Sequence, residues 1–128
     1  MSITIDLDLI ERREYVDQDP REVGDLELLK YLFNINYICR STRCKVCKTR
    51  KGLHIYIAVK DYDINKAMVL RAMLGDDPIR LEIDMYRHYK GLREYMETLF
   101  KAKYSKDGIS VEKCVDWKTF FKRLVESL

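Results

Sequence analysis

The sequence predicts a mixed α+β domain: a β-α-β-β-α-β core with an antiparallel sheet, followed by two further helices. Three stretches with apolar residues at every second position, and helical stretches with apolar recurrence every three to four residues between and after them, carry this prediction. Length sets the scale, because 128 residues suit one domain of common size. We therefore read residues 1–128 as a single domain, with 1–90 as the core and 91–128 as a C-terminal helical addition.

The elements follow in chain order. In residues 3–9, Ile3, Ile5, Leu7 and Leu9 alternate with Thr4, Asp6 and Asp8, which predicts a half-buried strand. A polar connection containing Asp19-Pro20 leads to DLELLKYLF, where Asp25 can cap a helix and Leu26, Leu29, Leu32 and Phe33 form its stripe. NYICRSTR, residues 36–43, reads as a second strand, joined through a basic turn to LHIYIAV. There Leu53, Ile55, Ile57 and Val59 alternate with His54, Tyr56 and Ala58, giving a third strand. Asp63 caps a helix over INKAMVLRAML, and Gly75 stops it. IRLEIDMY, residues 79–86, alternates again and reads as a fourth strand, with Arg80, Glu82 and Asp84 opposite its apolar set. The addition is then a helix in LREYMETLFKAKY and another in DWKTFFKRLVESL, whose aromatic stripes read as packing against the core. This order is the split βαβ arrangement of ferredoxin-like and RNA-recognition-motif-like domains, with strands in the order 4-1-3-2 and two helices on one face.

Composition narrows the function. No apolar run approaches the roughly 20 residues that span a bilayer, so no membrane partner is expected. The acidic N-terminal stretch MSITIDLDLIERRE lacks the pattern of a secretion signal, and a cytoplasmic location is the expectation. The net charge of +3 is small but uneven: RSTRCKVCKTRK, residues 40–51, holds six bases and no acid.

If the helices cover the Ile/Leu/Val face, the other face displays Asp6 and Asp8 from the first strand, His54 from the third and Asp84 from the fourth. Polar residues suit a solvated sheet face, but that accounts for polarity and not for sign. Two carboxylates at i and i+2 point the same way about 7 Å apart, and a third on the next strand adds repulsion. A divalent cation reverses that penalty, and Mg²⁺ or Mn²⁺ takes carboxylate oxygens together with water and phosphate.

On these residues the chain resembles the archaeo-eukaryotic primase superfamily of primases, primase-polymerases and the polymerase domains of bacterial end-joining ligases. ITIDLD, residues 3–8, looks like that family's hydrophobic lead into Asp-x-Asp. GLH, residues 52–54, looks like its small-x-His motif, and EID, residues 82–84, like its hydrophobe-Asp motif. The resemblance implies a metal-dependent nucleotidyltransferase, active or reduced, acting in DNA replication or other nucleic-acid processing. It implies that Asp6, Asp8 and Asp84 hold catalytic Mg²⁺ or Mn²⁺. It also implies that His54 contacts the nucleotide's phosphates, with Arg50 and Lys51 close by as further donors. Nucleoside triphosphates and nucleic acid are the partners expected. The chain departs from the family in its length, which leaves little room for a second module, and in the KTRK stretch that stands where Ser-Gly-rich residues often precede the histidine.

The cysteines form a second constellation. Cys39, Cys44 and Cys47 lie close in sequence and Cys114 is a distant fourth, which makes zinc a candidate; buried apolar thiols or an oxidised pair are the alternative. A zinc-stiffened finger would present Arg40, Arg43, Lys45 and Lys48 to a phosphate backbone. Three other functions compete. A base-stacking RNA binder would need aromatics where Leu53 and Ile55 stand. A nuclease with a nucleophile such as Tyr95 would need a second histidine beside His54. A non-catalytic nucleic-acid-binding or protein-interaction module is compatible with every element. His88 reads as a surface histidine.

Overall fold

The computed structural model describes residues 1–9, 22–99, 102–105 and 108–128; the predicted Asp19-Pro20 connection and Phe100 lie outside these residues. The described chain is mixed α+β. Strands β1 (Ser2–Leu9), β2 (Glu22–Val23), β3 (Cys44–Lys48), β4 (Gly52–Ala58), β5 (Ala102–Ser105), β6 (Gly108–Val111) and β7 (Lys113–Asp116) accompany helices α1 (Asp25–Ile38), α2 (Ile64–Met73), α3 (Pro78–Tyr89) and α4 (Trp117–Ser127). The main sheet runs β2-β1-β4-β3-β7, antiparallel except for the short β2, while β5 and β6 pair apart. No described helix is long and apolar enough to cross a membrane.

The central register follows from the alternation. Ile3 faces Ile57, Ile5 faces Ile55 and Leu7 faces Leu53, so one face of β1 and β4 is apolar, and these side chains are 7% exposed or less. Leu32 and Ile35 of α1, Leu74 after α2 and Trp117 of α4 join them in one core. Trp117 donates from Nε1 to Asn36 Oδ1 at 3.1 Å and lies against Phe120 and Phe121. Gly52 explains the hairpin's close approach to β1. A Cβ there would stand 1.8 Å from the Leu7 carbonyl oxygen.

Four expectations are corrected. NYIC continues α1 instead of starting a strand, so the strand begins at Cys44. The buried stripe of α1 is consequently Leu32 and Ile35, while Leu26 is 83% exposed. Residues 79–86 are helical. Asp77 caps α3 by accepting from the Ile79 amide at 2.9 Å and Pro78 occupies the first turn, both favourable helix starts. Within the predicted helix at 92–104, the described residues form a short 3₁₀ turn over Arg93–Tyr95 and, from Ala102, strand β5, with Glu97 at φ +61°. The helices over 64–73 and 117–127 lie where the periodicity predicts them, with Asp63 capping the first and Gly75 at φ +82° just beyond its end.

Without a fourth strand at 79–86, the outer edge of β1 needs other partners, since unpaired backbone groups are costly. Side chains supply them. Asp76 Oδ1 accepts from the Asp6 amide at 2.7 Å, Glu97 Oε2 accepts from the Thr4 amide at 3.3 Å, and Arg80 donates to the Thr4 carbonyl at 3.1 Å. Arg80 also donates to the Thr4 hydroxyl, and the Asp77 amide donates to the Asp6 carbonyl at 3.1 Å.

Candidate metal and nucleotide site

The register brings Asp6 opposite His54 on the face away from the core, with Asp8 opposite Gly52 one step further along. His54 is buried, and its Nε2 lies 3.5 Å from Asp6 Oδ1. Its Nδ1 lies 2.8 Å from Oε2 of Glu112, whose side chain is only 6% exposed. The Tyr56 hydroxyl donates to the same carboxylate at 3.1 Å. Burial and the Glu112 carboxylate both push the Tyr56 hydroxyl's pKa up.

Asp84 does not join this face. It is 1% exposed on α3, where Oδ2 accepts from Arg71 at 2.7 Å and from the Glu97 amide at 3.0 Å, and Oδ1 from Arg87 at 3.2 Å. Arg71, fully buried, also pairs with Asp76 at 2.7 Å and Glu97 at 3.0 Å. Desolvation works against the guanidinium's charge, but Asp76 and Glu97 outweigh it and hold its pKa up. The expectation that Asp84 is a metal ligand on a strand is therefore corrected: both of its oxygens serve the packing of α2 and α3.

A different aspartate, Asp77, stands beside Asp6 and Asp8. Ligand oxygens of Asp6, Asp8 and Asp77 lie within 4.8 Å of one another, and all three residues are half-buried. Burial first, and then the neighbouring Asp8 charge, raise the Asp6 carboxyl to about 6. Three clustered acids, one of them held with a raised pKa, fit the all-oxygen donor set of Mg²⁺ or Mn²⁺. Backbone bonds fix the cluster, because the Asp6 main chain is held by Asp76 on one side and by the Asp77 amide on the other. Asp77 is not among the residues that alternation or motif singles out. The signal that could have found it is the Asp-Asp-Pro run, an acid followed by proline being a favoured helix start.

The predicted bases are spread out. Lys51 and Arg50 sit in the β3–β4 turn, where the Lys51 carbonyl accepts from the Leu9 amide at 2.8 Å, placing that turn at the Asp8 end of the sheet. Arg43 lies at the other end of β3, roughly 17 Å away for a five-residue strand. Lys45 Nζ stands 4.5 Å from the centre of the Tyr56 ring, Lys48 pairs in register with Leu53, and Arg40 stacks on Tyr37 past the end of α1. A cleft of about 780 Å³ adjoins the site, lined by Thr4, Tyr56, Lys60, Tyr62, Arg93 and Glu97 among others; none of the three clustered aspartates lines it.

The cysteines are paired as Cys39–Cys44 and Cys47–Cys114. Cys44 is in register with Ile57 and Cys47 with His54, so alternation puts the two bridges on opposite faces of the sheet. One tetrahedral site made of Cys39, Cys44, Cys47 and Cys114 is incompatible with that arrangement, and the expected four-cysteine zinc set is corrected on this point. No protein-family model, no curated protein and no solved structure matches the chain.

Proposed function

We propose that the chain is a metal-dependent, nucleotidyltransferase-like protein of primase-polymerase type, acting on nucleoside triphosphates and nucleic acid. The observation that carries this reading is the Asp6, Asp8 and Asp77 cluster beside His54 on one side of adjoining strands. The β-α-β-β-α order of β1, α1, β3, β4 and α2, with β4 between β1 and β3, supports a ferredoxin-like core whose last strand is replaced by α3.

Asp6, Asp8 and Asp77 would hold the divalent ions, and Asp84 would orient Arg71 and the loop that carries Asp77. Bound ions would offset the charge of the triphosphate and of the departing pyrophosphate. The chain's own groups have distinct tasks. With Nδ1–H donated to Glu112, His54 turns Nε2 toward the acid cluster, where a protonated ring offers a second N–H to a phosphate oxygen. Arg50 and Lys51, at the Asp8 end of the sheet, add cationic donors for phosphate. The apolar and aromatic walls of the adjoining cleft suit a base and sugar. The burial of His54 favours a second reading, a non-catalytic nucleic-acid-binding or protein-interaction module.

Primer extension with Mn²⁺ separates the two readings. The first expects incorporation that is lost in Asp6→Ala and Asp77→Ala and kept in Glu126→Ala. No incorporation by the wild-type chain, with nucleic acid still bound, would select the second.

A further inference from the structure

Two disulfides in one small domain have very different surroundings. Cys39–Cys44 lies on the core face, among Ile35, Ile57 and other apolar side chains, where a neutral cross-link is well accommodated. Cys47–Cys114 lies on the opposite face, directly across the β3–β7 ladder, and a carboxylate is packed against it. Sγ of Cys47, Sγ of Cys114 and an oxygen of Glu112 lie within 4.8 Å of one another. Cys47 is fully buried and the Glu112 side chain is 6% exposed, so a desolvated acid, held by the Tyr56 hydroxyl, stands beside the bond. His54 Nδ1 is 2.8 Å from the same acid.

Two thiolates, a carboxylate and an imidazole form a donor set for zinc, a borderline-soft ion that takes sulfur, nitrogen and oxygen in a tetrahedron. We propose that Cys47, Cys114, Glu112 and Nδ1 of His54 form a zinc site in the dithiol form of the chain, and that the Cys47–Cys114 disulfide is its metal-free, oxidised form. A dithiol reductant gives two electrons and two protons to the S–S bond and becomes a disulfide itself. Zn²⁺ then displaces one proton from each thiol, and both protons go to solvent. Opening the bond lets the sulfurs separate to the roughly 3.8 Å that two Zn–S bonds of about 2.3 Å subtend in a tetrahedron. The Glu112 oxygen already stands beside the sulfurs, and a turn of the His54 ring, whose Nδ1 is 2.8 Å from Glu112, completes the set.

Ligation at Nδ1 fixes the proton of His54 on Nε2, the atom nearest Asp6. Zinc loading therefore turns the ring into an N–H donor toward the acid cluster. The site itself does not depend on the nucleotide reading, because metal loading is measured on the chain alone.

The experiment is a Co²⁺ and Zn²⁺ titration of the full chain, reduced under anaerobic conditions with excess Mg²⁺ present to occupy all-oxygen sites. Reduced wild-type protein is expected to give a thiolate-to-cobalt charge-transfer band and tetrahedral visible bands, saturating at one ion per chain and bleached by Zn²⁺. The oxidised protein should give neither. Cys114→Ser, at an exposed position, should abolish the band, and Glu112→Gln should weaken Zn²⁺ binding about tenfold or more. The pair Cys39→Ser and Cys44→Ser should leave binding unchanged; far-UV circular dichroism and a thermal scan confirm that each variant is folded. A reduced wild-type chain with no thiolate-to-cobalt band overturns the proposal, as does a folded Cys114→Ser that retains the band, or loss of binding on removing Cys39 and Cys44.

Discussion

Replacing Asp84 by Asn keeps the shape of the side chain and removes one charge from a buried network. In the wild type Arg71 is fully buried and faces Asp76, Asp84 and Glu97. Losing one partner of a buried ion pair costs about 3–5 kcal/mol, because the remaining charge keeps its desolvation penalty. Two carboxylates still face the guanidinium, and Asn still offers an acceptor to the Glu97 amide, so the low end applies, about 3 kcal/mol. For a domain of 128 residues, this corresponds to a fall in Tm of roughly 10 °C. Thermal unfolding with and without Mn²⁺ measures both consequences. The account expects a large loss of stability, with Mn²⁺ affinity reduced less than threefold. An Asp84→Asn protein with an unchanged Tm and no Mn²⁺ binding would refute the structural role and restore Asp84 to the metal site.

Three other outcomes follow from the same geometry. Gly52→Ala places a methyl carbon against the Leu7 carbonyl and forces β1 from β4, so a loss of about 1–3 kcal/mol in denaturant unfolding is expected, together with weaker Mn²⁺ binding through displaced Asp8; a neutral substitution would contradict the close approach. Burial outweighs Arg71 and Arg80 and raises the Glu97 carboxyl to about 7 from an ordinary 4.5, so the folded chain keeps a proton that the unfolded chain releases. That stabilisation is complete below pH 4.5 and is lost as pH rises to 7, by up to roughly 3 kcal/mol; Glu97→Gln should flatten the decline in urea midpoints, and an identical slope in both proteins would count against it. Trp117→Ala, removing a ring that is 1% exposed and bonded to Asn36, should cost about 3–5 kcal/mol by urea denaturation, and a cost under 1 kcal/mol would mean that α4 is not part of the core.

The parts legible in the sequence are those where one periodicity accounts for both faces. Residues 3–9 and 53–59 alternate cleanly because one face meets the core and the other carries Thr4, Asp6, His54 and Tyr56. The stretch 79–86 misled for a physical reason. Ile79, Ile83 and Met85 are all 45% exposed or more, and the residues that α3 turns inward are Arg80, Asp84 and Arg87, so apolar spacing pointed to the wrong surface. NYIC was misread because Asn, Tyr, Ile and Cys suit the last turn of a helix as readily as a strand once Ile35 is buried. In the site, Asp6, Asp8 and His54 were legible from alternation alone. Asp77, the cap of α3, belongs to no alternating stretch. Glu112 was hidden because an isolated glutamate has no local signature, and only the pairing of β7 with β3 brings it beneath His54.

Calorimetric titration of Mn²⁺ in the presence of a nucleoside triphosphate, comparing wild type with Asp77→Asn, probes the acid cluster most directly. Asn caps a helix about as well as Asp, so the variant should keep its fold. The account predicts saturable binding in the wild type and a loss of about tenfold or more in the variant. Equal binding by the two proteins, or none by either, would contradict it.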